Sequence, residues 1–286
     1  MRTVTARPTD LVDLRASLLD AGPSDELDDV TDRLRAVLTD GEPFVRQVTD
    51  VGRAADLLRR EPVHPVDPAS SGSAFASALA DRTDVDRRLF ELVHPALEGR
   101  PLNVVWVALC RGIPSTMAEL LDDRPALDPG DADTAVFWSI WNGEAGLAGL
   151  GRGSDLIYGA TDLLRRELPG IDTFITLSPV PGLRRWLDGH PPDGPASLSG
   201  DELVAAATSY LTSLGDDGRP LDPVARFHLG NGARLWRVLP DADPSARGQD
   251  RSFGVMVNYR YEPEDRAANR AQLANGSVPV GPEVIR

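Results

Sequence analysis

Apolar residues recur at three- and four-residue spacing, with charges between them, over Leu11 to Leu19, Leu27 to Leu38 and Val45 to Leu58. That period predicts three amphipathic helices. Asp84 to Val93 predicts a further short helix, stopped before Pro95. Between them, Pro62, Pro65 and Pro68, followed by Ser70-Ser71-Gly72-Ser73, predict a loop or linker. The pattern changes near residue 100. Leu102 to Leu109 is an unbroken apolar run and predicts a buried strand. Thr134 to Trp141, Thr173 to Leu177, Ala233 to Val238 and Gly254 to Tyr261 predict more strands. Helices are expected after Ser115-Thr116-Met117-Ala118, over Ser154 to Leu168, and from the capping box Ser199-Gly200-Asp201-Glu202 to about Leu214. The expected class is α+β or α/β: a short helical region over 1–95, then a mixed-sheet domain over 96–286.

Composition narrows the chemistry. The 286 residues carry a formal charge of −14. Nucleic acid and anionic membrane are therefore unexpected partners. No apolar run approaches the ~18 residues of a membrane span, and no secretory leader is seen, so a cytoplasmic location is expected. The chain contains no lysine, which excludes a lysine Schiff base and a P-loop lysine. Its one cysteine, Cys110, excludes a disulfide framework and ends the apolar strand run, where it reads as a buried small hydrophobe.

Four segments could carry chemistry. Ala148-Gly149-Leu150-Gly151-Arg152-Gly153-Ser154 lies between a strand and a helix start. Glycines let the backbone approach a ligand, first-turn N–H groups suit a pyrophosphate, and Arg152 adds a charged donor. A Gly-rich turn without ligand is the alternative. Leu177-Ser178-Pro179-Val180-Pro181-Gly182 follows a strand, the edge where open α/β sheets bind ligands. Its prolines stiffen the turn and hold Ser178 at the strand tip, whether for function or as a structural turn. Gly-x-Ser-x-Gly is absent, so no nucleophile elbow is expected. Pro223 to Gly232 places His228 at the end of a short helical run, before Gly230-Asn231-Gly232. His64 and His94 each precede a proline and read as structural, and His190 falls in a loop. In Val257-Asn258-Tyr259-Arg260-Tyr261, alternation puts Tyr259 and Tyr261 on one strand face, as core packing or as hydroxyl donors near a site.

In this order, with Val63-His64-Pro65-Val66, His94-Pro95-Ala96-Leu97, Val107-Ala108-Leu109, Gly112-Ile113-Pro114 and Phe137-Trp138-Ser139-Ile140, these segments resemble the malonyl-CoA decarboxylase family over roughly residues 60–275. The resemblance implies a helical domain followed by a catalytic domain of the N-acetyltransferase (GNAT) fold. It implies conversion of malonyl-CoA to acetyl-CoA and CO2 by acid–base chemistry without metal or organic cofactor, CoA being part of the substrate. By the same resemblance the Ala148 to Ser154 loop binds the CoA pyrophosphate, and Ser178, His228 and Tyr261 match catalytic residues. His228 is expected to protonate the α-carbon while Ser178 bonds the malonyl group and relays or orients the proton. Asn231 is expected to support them, on sequence proximity only. Better-known members assemble tetramers through the helical part, so a homo-oligomer is implied, although that part is shorter here. The loop opens with Ala148 where the family commonly has glutamine or arginine. The alternatives are an acyltransferase of the same fold and a non-catalytic acyl-CoA-binding protein.

Overall fold

The computed structural model describes residues 7–66, 72–121, 125–189, 198 and 200–284. In chain order it forms α1 (Pro8–Ala21), α2 (Asp25–Thr39), β1 (Phe44–Gln47), α3 (Val51–Arg59), α4 (Gly72–Arg82), β2 (Arg87–Val93) and β3 (Pro101–Cys110). Then come α5 (Ala118–Leu121), β4 (Thr134–Asn142), α6 (Gly153–Glu167), β5 (Thr173–Thr176), β6 (Ser178–Pro179) and α7 (Leu183–Gly189). The chain continues through α8 (Gly200–Thr212), α9 (Pro223–Gly230), β7 (Arg234–Leu239), α10 (Ala246–Ser252), β8 (Met256–Arg260) and α11 (Arg266–Ala274). Among the described residues eight strands form one mixed sheet in the order β1-β2-β3-β4-β5-β8-β6, with β7 paired to β8. The mixed α/β class expected from the alternation of periods is the class observed.

Two compact units divide the chain. The first comprises residues 1–107 and 139–167, the second 108–138 and 168–286, so β3 and β4 each supply residues to both.

In the first unit, two expectations for the N-terminal region are corrected. Residues 87–93 form β2 rather than a helix, paired antiparallel with β1 so that Phe44 faces Val93 and Gln47 faces Phe90. Those β1 residues were expected near the start of the helix over Val45 to Leu58, which begins only at Val51. Both periods fit the spacing of Val85, Leu89, Leu92 and Val93, but Leu89 to Val93 is buried at every position, as in a strand covered on both faces. Glu91, in the middle of that run, is only 1% exposed and is tolerated because Arg46 and Arg53 reach its two oxygens at 2.6 and 2.7 Å. Of the expected linker, Gly72 and Ser73 instead open α4, an unassigned helix in which Ala74, Ala76, Ala78 and Ala80 supply strong helix propensity; Pro68, Ser70 and Ser71 lie outside the described residues.

The second unit contains every strand around the serine and histidine segments. β4 and β5 run parallel, pairing Thr134 with Thr173 and Phe137 with Thr176. β8 then takes β5, β6 and β7 as antiparallel neighbours, with Ser178 opposite Val257. The sequence period left α7, α10 and α11 unassigned. Ser199, the first residue of the expected capping box, is outside the described residues, as is His190.

Candidate active site

Ser178 sits where β5 passes into β6, at the stiff turn that Pro179 and Pro181 impose. Asn258 of β8 braces that strand end by donating Nδ2–H to the Thr176 carbonyl at 2.7 Å. Its Oδ1 accepts from Arg237 Nε at 2.9 Å, and the same guanidinium reaches the Pro114 carbonyl at 3.2 Å. Burial holds the Arg237 guanidinium below the usual arginine range.

His228 comes in on α9. That helix begins at Pro223, which needs no N–H there, and is capped by Asp222, whose Oδ1 accepts from Val224 N and Ala225 N at 2.9 Å each. Asp222 is wholly buried, and burial pushes its carboxyl above the ordinary range despite those hydrogen bonds. Gly182 ends the serine turn beside it. A Cβ at Gly182 would lie 2.1 Å from the Tyr210 hydroxyl, so close approach of the turn to α8 requires glycine.

These elements bring the hydroxyl and the imidazole together. Ser178 Oγ lies 3.1 Å from His228 Nε2, and His228 Nδ1 lies 2.8 Å from the Tyr261 hydroxyl. Ser178 is 5% exposed, His228 4% and Tyr261 1%. The imidazole stacks on Tyr259 with ring centroids 4.6 Å apart and meets Phe227 edge-on. Tyr259 and Tyr261 thus share the strand face that alternation assigned them, one as a packing surface and the other as a hydrogen-bond partner. Phe137 packs edge-on against Tyr261.

Burial in this aromatic pocket pulls the His228 pKa down from 6.5 to about 3. Near neutral pH the ring is uncharged, so a proton leaving it starts from a neutral N–H and not from an imidazolium. The native state binds fewer protons than the unfolded chain between pH 3 and 6.5, so this contribution is complete above 6.5 and is lost as pH falls toward 3. Between pH 7 and 5 the wild type is expected to lose about 2 kcal/mol more unfolding free energy than His228→Asn does. Urea unfolding at the two pH values measures this; equal losses in the two proteins would show that His228 is not held neutral.

Sequence reading missed Thr176, Tyr210 and Asp222 around this pair. Thr176 could have been found, because it stands two residues before Ser178 on the same strand face. Asp222 carried a weaker signal as an N-cap residue before Pro223. Asn231 closes α9, its N–H donating to the Phe227 carbonyl at 3.1 Å, and makes no hydrogen bond to Ser178, His228 Nε2 or Tyr261 among the described residues.

The Gly-rich segment belongs to the first unit. Ala148 and Gly149 follow a short turn, Gly149 with φ +75°, and α6 opens at Gly153. Arg15 of α1 donates to the Gly146 and Ala148 carbonyls at 2.8 Å. Asn103 accepts from Arg152 N at 3.0 Å and donates to Asn142. A Cβ at Gly151 would fall within 2.9 Å of both of those amides, which explains that glycine without a ligand. Arg152 pairs with Asp155 at 2.9 Å on an exposed face. His94, read as structural, bridges Ala96 N and the Gly41 carbonyl at 3.2 and 3.3 Å, and Cys110 is buried. Among the described residues no helix is long and apolar enough to cross a membrane.

The family model described as the malonyl-CoA decarboxylase C-terminal domain matches residues 57–202 and 190–285. The chain belongs to the malonyl-CoA decarboxylase family. A mitochondrial malonyl-CoA decarboxylase of Anser anser anser is 34% identical over 240 residues, covering 68% of this chain and 48% of its own. That of Rattus norvegicus is 30% identical, covering 64% and 47%. The chain therefore spans about half the length of these animal relatives. Solved malonyl-CoA decarboxylase structures align along nearly all of it: that from Agrobacterium vitis with TM-score 0.83, 34% identity and coverage of 98% of this chain and 76% of the other. The structure from Rhodopseudomonas palustris gives TM-score 0.80, 34% identity, and 97% and 75%. Membership of the malonyl-CoA decarboxylase family thus agrees with the ordered motifs that first pointed to it.

Proposed function

We propose that this chain removes CO2 from malonyl-CoA to leave acetyl-CoA, and that Ser178 and His228 are its acid–base pair. The supporting observation is the 3.1 Å contact between Ser178 Oγ and a neutral His228 Nε2 inside a closed hydrogen-bonded group. Loss of CO2 breaks the bond from the α-carbon to the carboxylate and leaves its electron pair on the thioester enolate. One proton then forms the new C–H bond, and solvent replaces it. An enolate carbon is basic enough to draw that proton from a neutral hydroxyl or imidazole N–H, so a buried neutral pair suits the step. A positioned proton donor contributes ~10²- to 10⁴-fold, and a donor hydrogen-bonded to the developing oxyanion roughly 3 kcal/mol. Tyr261 orients the ring through Nδ1. The Ala148 to Ser154 loop, with Arg152, is proposed to hold the CoA pyrophosphate at the start of α6. Side chains and the substrate's own thioester carry this chemistry, in a cytoplasmic enzyme.

The test is release of CO2 from malonyl-CoA with no acceptor present, with methylmalonyl-CoA in parallel. Stoichiometric CO2 and acetyl-CoA are expected. Consumption that requires an acceptor amine would make the chain an acyltransferase. CoA binding without turnover would make it an acyl-CoA-binding protein.

A further inference from the structure

The Ser178–His228 contact admits two opposite proton orders, and a third hydroxyl selects between them. Thr176 is completely buried at the end of β5. Its Oγ1 has two partners: Tyr259 N at 3.1 Å and Ser178 Oγ at 2.9 Å. The Tyr259 N–H can only donate, so Thr176 Oγ1 accepts there. Among the described residues, Ser178 Oγ is then the acceptor within reach of the Thr176 hydroxyl hydrogen. If Ser178 instead donated to Thr176, the Thr176 O–H would be buried without an acceptor, at a cost of ~1–3 kcal/mol.

With Thr176 donating, the Ser178 hydrogen is left one partner, His228 Nε2 at 3.1 Å. Nε2 must then be bare, and the ring proton lies on Nδ1, donated to the Tyr261 hydroxyl at 2.8 Å. We propose that Thr176 is a positioning residue that sets this order: Thr176 O–H to Ser178, Ser178 O–H to His228 Nε2, and His228 Nδ1–H to Tyr261. Ser178, not the imidazole, is then the proton-bearing member of the resting pair. Only the kinetic consequence of this order rests on the decarboxylase reading.

Long-range proton–nitrogen spectra of protein labelled with ¹⁵N-histidine read the tautomer directly, the His228 signals being assigned by their loss in His228→Asn. The wild type is expected to show a bare Nε2 and a protonated Nδ1. Thr176→Val keeps the shape but removes the hydroxyl, and should raise the Nε2–H form. Thr176→Ser should restore the wild-type pattern. In the decarboxylation assay Thr176→Val should lower kcat roughly tenfold with KM unchanged, the size of one hydrogen bond, and Thr176→Ser should recover it. A wild-type ring protonated on Nε2, or a Thr176→Val ring with the wild-type tautomer, would overturn the proposal. If Thr176→Val does not fold, the wild-type and Thr176→Ser spectra still decide the proton order. If no CO2 is released by any form, the decarboxylase reading fails while the tautomer measurement stands.

Discussion

If the proposed function holds, Ser178→Ala and His228→Asn are each expected to lower the rate of CO2 release from malonyl-CoA by ~10²- to 10⁴-fold, equivalent to about 3–5 kcal/mol of transition-state stabilisation. The loss falls on kcat, because the proton is needed only after CO2 has left. Binding of CoA, measured calorimetrically, stays within a few-fold of the wild type. The two groups share one proton across 3.1 Å, so they act as a unit. The double variant should therefore be no slower than the slower single, in the way coupled catalytic groups fail to add. Multiplying losses would mean that the serine and the histidine serve separate steps. Full turnover in either single variant would remove the pair from the mechanism.

A second large effect concerns the surface behind the imidazole. Tyr259 is completely buried, and its ring lies nearly parallel to that of His228, at 23°. Tyr259→Ala removes a whole aromatic side chain from the core and should cost roughly 3–5 kcal/mol of unfolding free energy. It also frees the imidazole to tilt away from Ser178, so activity should fall with stability. Tyr259→Phe separates the ring from the hydroxyl. That hydroxyl has no hydrogen-bond partner among the described residues, and burial pushes its pKa well above the tyrosine value. Removing a buried group that makes no bond is expected to be neutral or slightly stabilising. Urea midpoints for the two variants, at unchanged slope, test this. A phenylalanine variant as unstable as the alanine one would show that the hydroxyl, and not the stacked ring, holds the site.

The same residues show how far a linear reading reaches. Short-range geometry suffices for Tyr259 and Tyr261, which share a face because a strand alternates every second residue. It also suffices for Ser178, fixed at a strand tip by two prolines, and for His228, near the end of a helix that begins at Pro223. Residues 84–93 were misread because short apolar runs satisfy both periods, and only their burial on two faces makes them β2. Thr176 was passed over although its place two residues before Ser178 on the strand was legible; the bond between the two hydroxyls is seen only in the folded chain.

The sequence by itself determined the mixed class of the chain, the order of its motifs and the family they resemble, since each depends on residues within a turn or two of one another. The tertiary structure alone decided that Ser178 and His228, 50 positions apart, lie within hydrogen-bond reach. It also decided that the ring is neutral. A histidine's charge depends on which groups exclude water around it, here Phe227 next to it on α9 and, from another element, Tyr259 and Tyr261 at and just beyond β8, and no pattern along the chain records that second contribution.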